Sequence, residues 1–236
     1  MPLDALVPAV IAALFVLILL SRLRPRKVFL VRHGQTLLNA QHIRQGPEGG
    51  LSESGKAQAE IVGKYLRRFH IKCILSSPYE RTRQTSEIID KQLHVPIFYS
   101  PLFAERRNPT EVVGKHRDDP AVVKIIDQID LAYHADDYRY SDEENFTDLK
   151  LRARKSLSLL ARQGERNTAV VTHHVFLKVF LAYLLYRERL HASDFAKLAF
   201  FNFLDNATVT IVEYRPWLFL SKTRGWRVVS FNEQPT

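Results

Sequence analysis

The chain has 236 residues, 46% hydrophobic and 25% charged, with 34 Lys and Arg against 25 Asp and Glu and a formal charge of +9. That length suits one large domain or two small ones, and the balance is that of a packed globule, which excludes disordered, collagen-like and coiled-coil classes. The single cysteine, Cys73, cannot form an internal disulfide, and without a CxxC or Cys/His cluster there is no structural zinc site, so a reducing compartment is expected.

The first element is Ala5 to Leu20 (ALVPAVIAALFVLILL), which has no charge and no hydrogen-bonding side chain. It predicts a transmembrane helix of roughly 24 Å, short of the ~30 Å hydrocarbon core unless Leu3, Ser21 and Leu23 extend it. No Lys or Arg precedes it, whereas Arg22, Arg24, Arg26 and Lys27 follow. The positive-inside rule therefore predicts a single-pass anchor over 1–24, with residues 25–236 as one domain in the cytoplasm. A cleaved signal peptide would want the reverse charge order, and an interfacial helix is the alternative. Setting aside Asp4 and those four cations leaves 30 basic and 24 acidic residues, a net of +6, too little to call for a nucleic-acid partner. The triplets Asn145-Phe146-Thr147 and Asn206-Ala207-Thr208 match the glycosylation sequon, and the expected topology makes both chance matches.

From Lys27 onward, strand-length apolar runs alternate with stretches of helical period, the pattern of an α/β domain. Lys27 to Arg32 predicts a buried strand, Glu53 to Arg68 an amphipathic helix with Ala57, Ile61 and Tyr65 on one face, and Ile71 to Leu75 a second strand. Arg81 to Leu93 follows as a helix and Ile97 to Tyr99 as a short strand. Asp142 to Ala161 is predicted as a long helix whose acidic start suits its N-terminus, and Thr168 to Thr172 as the next strand. Val175 to Tyr186 and Ser193 to Phe203 read as helices, and Thr208 to Tyr214 and Trp226 to Phe231 as closing strands. The expected fold is a three-layer sandwich with a mostly parallel central sheet flanked by helices, preceded by the transmembrane helix.

In such a sheet, ligands bind beyond the carboxyl ends of the strands. Arg32-His33-Gly34 ends the first strand, Ser76-Ser77-Pro78 with Arg81 and Arg83 follows the second, and Thr172-His173-His174 ends the TAVVT strand. Arginine offers a fixed two-pronged donor and imidazole a nucleophile, so this group suits a dianionic phosphoryl group. Charge stabilisation of the equatorial oxygens is most of what phosphoryl transfer needs, so no metal and no cofactor is expected.

These segments resemble a known family. Arg32-His33-Gly34-Gln35-Thr36 with Asn39 is similar to the RHGxTxxN signature of the histidine phosphatase superfamily, which includes cofactor-dependent phosphoglycerate mutases. Leu51 to Ala59 (LSESGKAQA) resembles LTxxGxxQA, Ser76 to Thr85 (SSPYERTRQT) resembles SSPxxRAxQT, and Val170 to His173 resembles VxxH. Glu144-Asn145 with Arg152 is a weaker echo of the family's ESxxxxxxR helix. The resemblance implies that His33 is the nucleophile, that Arg32, Arg81 and His173 hold the transferring group, and that Asn39 is an auxiliary phosphate ligand. It implies that Glu105 is the general acid, with Glu111 as competitor and a salt bridge to Arg106 or Arg107 as its structural alternative. Arg83 competes with Arg81.

Two departures limit the carry-over. Asn108 to Lys115 (NPTEVVGK) replaces the GxWEG-like segment, and His174 stands where a glycine follows the second histidine, either meeting substrate phosphate or capping a helix. His116 to Tyr140 reads as a variable lid. The expected function is a membrane-anchored phosphatase whose partner is a phosphorylated substrate. A mutase, or a silent phosphate-binding adaptor, is the alternative.

Overall fold

The computed structural model describes residues 10–16, 24–132, 135–163, 165–197, 204–218 and 220–236. Strands β1 (Arg26–Arg32), β2 (Cys73–Ser76), β3 (Ile97–Tyr99), β4 (Asn167–Thr172), β5 (Val209–Tyr214) and β6 (Trp226–Glu233) form one sheet in the order β3-β2-β4-β1-β5-β6. The first four run parallel, β5 pairs antiparallel with β1, and β6 pairs antiparallel with β5.

The helices are α1 (described over 10–16), α2 (Leu37–Ala40), α3 (Glu53–Arg67), α4 (Glu80–Leu93), α5 (Pro120–Leu131), α6 (Phe146–Arg162), α7 (His174–Tyr186) and α8 (Ala192–Lys197). Side chains alternate across the sheet, and each face has its own core. Val28, Leu30 and Val170 pack with Leu149, Leu157, Phe176 and Phe180 of α6 and α7. Phe29, Val31 and Val171 pack with Val62, Leu66 and Ile89 of α3 and α4. The α/β sandwich therefore has the expected three layers.

The transmembrane helix is a correction. Among the described residues no helix is long and apolar enough to cross a membrane. Residues 1–9 and 17–23, which complete the expected anchor, lie outside the described residues. The single-pass placement with a cytoplasmic catalytic domain loses its support with the span.

Two helices went unread in the sequence. Helix α2 is a single turn of four residues, and α5, twelve residues long, lies in the stretch read as a variable lid, although it carries a start signal in Asp119, which accepts from Ala121 N at 2.8 Å, and in Pro120 at its first turn. Helix α6 begins at Phe146 rather than at Asp142, because Asn145 and Asp148 form a capping box there. Asp142 accepts instead from Thr110 N at 2.9 Å. For the expected helix Ser193 to Phe203, residues 198–203 lie outside the described residues.

Candidate active site

Strands β1 and β4 are neighbours with Arg32 opposite Thr172, so His33 and His173 leave the sheet at one level. His33 N donates to Thr172 O at 3.0 Å, and Ser77 N to Val171 O at 3.1 Å, which draws the end of β2 alongside. The start of α3 presses against the loop after β1. A Cβ on Gly34 would lie 2.4 Å from Gly55 O, and one on Gly55 would lie 1.9 Å from Gln35 O. Only residues without side chains fit this contact.

One cavity of about 370 Å³ is lined by Arg32, His33, Asn39, Arg81, Glu105 and His174, six of the seven site residues expected from the sequence. The seventh, His173, is fully buried behind them, with its ring 5.2 Å from that of His33. Arginine only donates, so Arg81 Nε donates to His173 Nδ1 at 3.2 Å, and His173 Nε2–H then donates to Ser77 Oγ at 2.8 Å. By the same reasoning His33 Nδ1–H donates to Gly34 O at 2.7 Å, which leaves the lone pair on Nε2. Arg32 donates from Nη1 to Leu204 O, while its Nε is buried without a hydrogen-bond partner. His174 Nδ1 donates to Leu204 O at 3.1 Å. The competing residues lie elsewhere. Arg83 stacks over Tyr99 at 4.6 Å, and Glu111 accepts from Ser141 Oγ at 2.9 Å.

The carboxylate of Glu105 sits on the first turn of α7. Oε1 accepts from Arg106 N and Phe176 N, both at 2.9 Å, and Oε2 from Val175 N at 3.2 Å. Its backbone is held just as firmly. Leu102 O accepts from Ser156 Oγ at 3.0 Å, Phe103 O from Thr172 Oγ1 at 2.7 Å, and Ala104 O from Arg152 Nη1 at 2.6 Å. Glu105 O accepts from Arg152 Nη2 at 3.4 Å. Arg152 is itself clamped by Glu144 through bonds of 2.7 and 2.6 Å, so the echo of the family's ESxxxxxxR helix marks a pair that positions Glu105. Neither alternative salt bridge forms: Glu105 meets Arg106 only through its backbone N–H, and Arg107 Nε donates to Asp142 O.

Burial and the nearby Arg81 hold both His33 and His173 well below the usual histidine pKa. Burial and Arg32 bring His174 down to about 4, and burial lowers Arg32 to about 10, still cationic at neutral pH. The imidazoles are therefore neutral and the guanidinium groups charged. This has a cost in acid. Below about pH 6.5 the unfolded chain binds protons on His33, His173 and His174 that the folded chain does not, so stability falls as pH falls. The denaturant midpoint is expected to drop steeply between about pH 6.5 and 5, and a midpoint that is flat across that window contradicts this account.

Sequence reasoning missed Arg44, Arg106, Asn108, Arg117 and Asp205, all of which line the same cavity. Arg106 had a signal in its place beside Glu105, but Arg44 had none, and Arg117 lay in a run of mixed charge. Asn206, part of a sequon match in the sequence, donates from Nδ2 to His33 O at 2.9 Å and so fixes the backbone of His33.

The profile of the histidine phosphatase superfamily (branch 1) matches residues 28–233. The broad-specificity phosphatase YOR283W of Saccharomyces cerevisiae is 28% identical over 202 residues, covering 80% of this chain and 79% of that protein. The uncharacterized phosphatase PhoE of Bacillus subtilis is 41% identical over 80 residues, 34% of this chain and 42% of that protein. Among solved structures, Bacillus stearothermophilus YhfR superposes with a TM-score of 0.71 at 22% identity, covering 88% of this chain and 97% of that one.

Proposed function

Because the chain belongs to the histidine phosphatase superfamily, we propose that it hydrolyses phosphomonoesters through a phosphohistidine on His33. The observation that carries this reading is one cavity holding two arginines, a buried neutral imidazole with Nε2 free, and a carboxyl group. In the first step His33 Nε2 attacks phosphorus and the bond to the ester oxygen breaks. Arg32 and Arg81 balance the charge on the equatorial oxygens, and Asn39 and His174 contact the same group. Glu105 in its acid form passes its proton to the departing oxygen. In the second step water attacks phosphorus, Glu105 takes the water proton, and the N–P bond breaks to release phosphate. His173 acts behind them, holding the Nε edge of Arg81 in place. The arginines supply the charge that each step requires, so the scheme calls on no metal.

The test is hydrolysis of 4-nitrophenyl phosphate in excess chelator, together with an alkaline quench that preserves phosphohistidine. Turnover with a labelled, acid-labile phosphoryl group on the chain is expected. Absence of both overturns the reading. A trapped phosphoryl group that passes to an added alcohol rather than to water makes the protein a mutase-type transferase instead.

A further inference from the structure

At the opposite end of the strands, about 20 Å from His33 by the length of β1, lies a second and larger recess. Its volume is about 1000 Å³, against about 370 Å³ for the catalytic cavity. Arg154, Leu157, Ser158 and Ala161, spaced i, i+3, i+4 and i+7, turn one face of α6 toward it, and Tyr183 and Arg187 reach it from the end of α7. Tyr214 ends β5 and Trp226 begins β6, and the loop between them is tied at its neck. Arg215 N donates to Gly225 O at 2.8 Å, and a Cβ on Gly225, whose φ is 86°, would lie 2.3 Å from Arg215 O. The tie folds Lys222 and Arg224 back onto the recess.

The recess is cationic. Arg154, Arg187, Lys222 and Arg224 line it with one carboxylate, Glu188, an excess of three positive charges. Glu188 is already engaged by Tyr183 Oη at 2.7 Å and by Arg154 Nη1 at 3.7 Å. Among the described residues Arg187, Lys222 and Arg224 make no carboxylate ion pair. Arg187 Nε is buried without a hydrogen-bond partner, while its Nη2 donates to Thr223 O. Burial and repulsion from Arg224 lower the pKa of Arg187, so the two guanidinium groups oppose each other across the recess wall. Both arginines also hold a positive φ, 57° at Arg187 and 50° at Arg224, and among the described residues no other arginine does. Backbone of that kind is strained in a residue with a side chain, and such strain gathers at ligand clamps. Crowded, partly buried cations are stabilised when an anion arrives.

Two features select the anion. Three surplus charges match a dianionic phosphate better than a single carboxylate, and arginine offers the paired donors that phosphate oxygens accept. The recess is also far larger than a phosphate and has an apolar side, with Leu157, Tyr214 and Trp226 along its floor and Leu220, 88% exposed, at its rim. We infer that this recess is a second ligand site, separate from the catalytic one, for an amphiphilic phosphate whose dianionic head is held by Arg187, Lys222 and Arg224 and whose apolar body lies along Tyr214 and Leu220.

Both tryptophans of the chain, Trp217 and Trp226, belong to this end, so intrinsic fluorescence reports on the recess rather than on the catalytic cavity. The probes are methylphosphonate and octylphosphonate at mildly alkaline pH, whose C–P bond a phosphomonoester hydrolase does not cleave, with octanol as the uncharged control. A saturable change with octylphosphonate is expected, at an affinity about tenfold or more above that of methylphosphonate, which burial of two methylenes already gives. That affinity is expected to fall about tenfold in Arg224→Gln, at an exposed position, and in Arg187→Gln, and to stay unchanged in Lys56→Gln, which removes a surface pair with Glu53 on α3. Absence of a saturable change, or equal affinity in the parent and both arginine variants, overturns the inference. Octanol binding as tightly as octylphosphonate makes the recess an apolar groove, and methylphosphonate binding as tightly makes it a site for inorganic anions; either result overturns it. A change that begins only where octylphosphonate aggregates makes this face a surface for assembled lipid and overturns it as well. None of these outcomes depends on turnover at His33, so this site and the proposed phosphatase activity stand or fall separately.

Discussion

Replacing His33 by alanine is expected to lower kcat/KM for every phosphomonoester by about 10⁴-fold or more, the scale seen when a covalent nucleophile is removed, and to abolish the trapped phosphoryl group. The argument is geometric. His33 Nδ1–H is spent on Gly34 O, so only Nε2 is free to attack, and among the side chains lining the cavity the other imidazole is His174, which hangs from Leu204 O. His33 is 3% exposed, so the alanine variant leaves a small void and loses some stability. Parallel melting curves separate that loss from the chemical one, since a folded variant that has lost activity implicates the imidazole itself. Retention of more than a tenth of parental activity would remove His33 from the mechanism.

Replacing Glu105 by glutamine is expected to have an effect that depends on the leaving group. Alkyl phosphates, which leave as poor alkoxides, should slow by about 10²- to 10⁴-fold, whereas 4-nitrophenyl phosphate, whose phenolate needs no proton, should slow far less in the first step. Glutamine keeps one carbonyl oxygen for Arg106 N and Phe176 N but presents an amide to Val175 N, so part of the helix cap is lost as well. A uniform loss across leaving groups would make Glu105 a structural cap. A loss that grows with leaving-group basicity makes it the acid.

Most of the layer order was legible because it follows from period: the alternation through Val28, Phe29, Leu30 and Val31 assigns each residue to a face, and strand ends in a parallel sheet share one edge. Arg32, His33, Asn39, Arg81, Glu105 and His174 converge on one cavity as the motifs implied. The far wall was not legible, since a loop-to-loop backbone clip such as Arg44 with Lys115 leaves no periodic trace. The start of α6 moved because Asn145 outcompetes Asp142 as a cap, a contest between neighbours that composition does not resolve. The apolar run at the N-terminus satisfied a hydropathy rule over Ala5 to Leu20, but among the described residues, which include only 10–16 of that run, no helix is long and apolar enough to cross a membrane.

The four consecutive carbonyls from Leu102 to Glu105, each tied to a side chain from α6 or β4, bear on when conformational entropy is lost. Fixing a backbone residue costs about 1–2 kcal/mol, and here that cost falls once, at folding, rather than again at each encounter with substrate. The carboxyl group therefore waits in position, and binding energy from the substrate remains available for the phosphoryl group and its alcohol half.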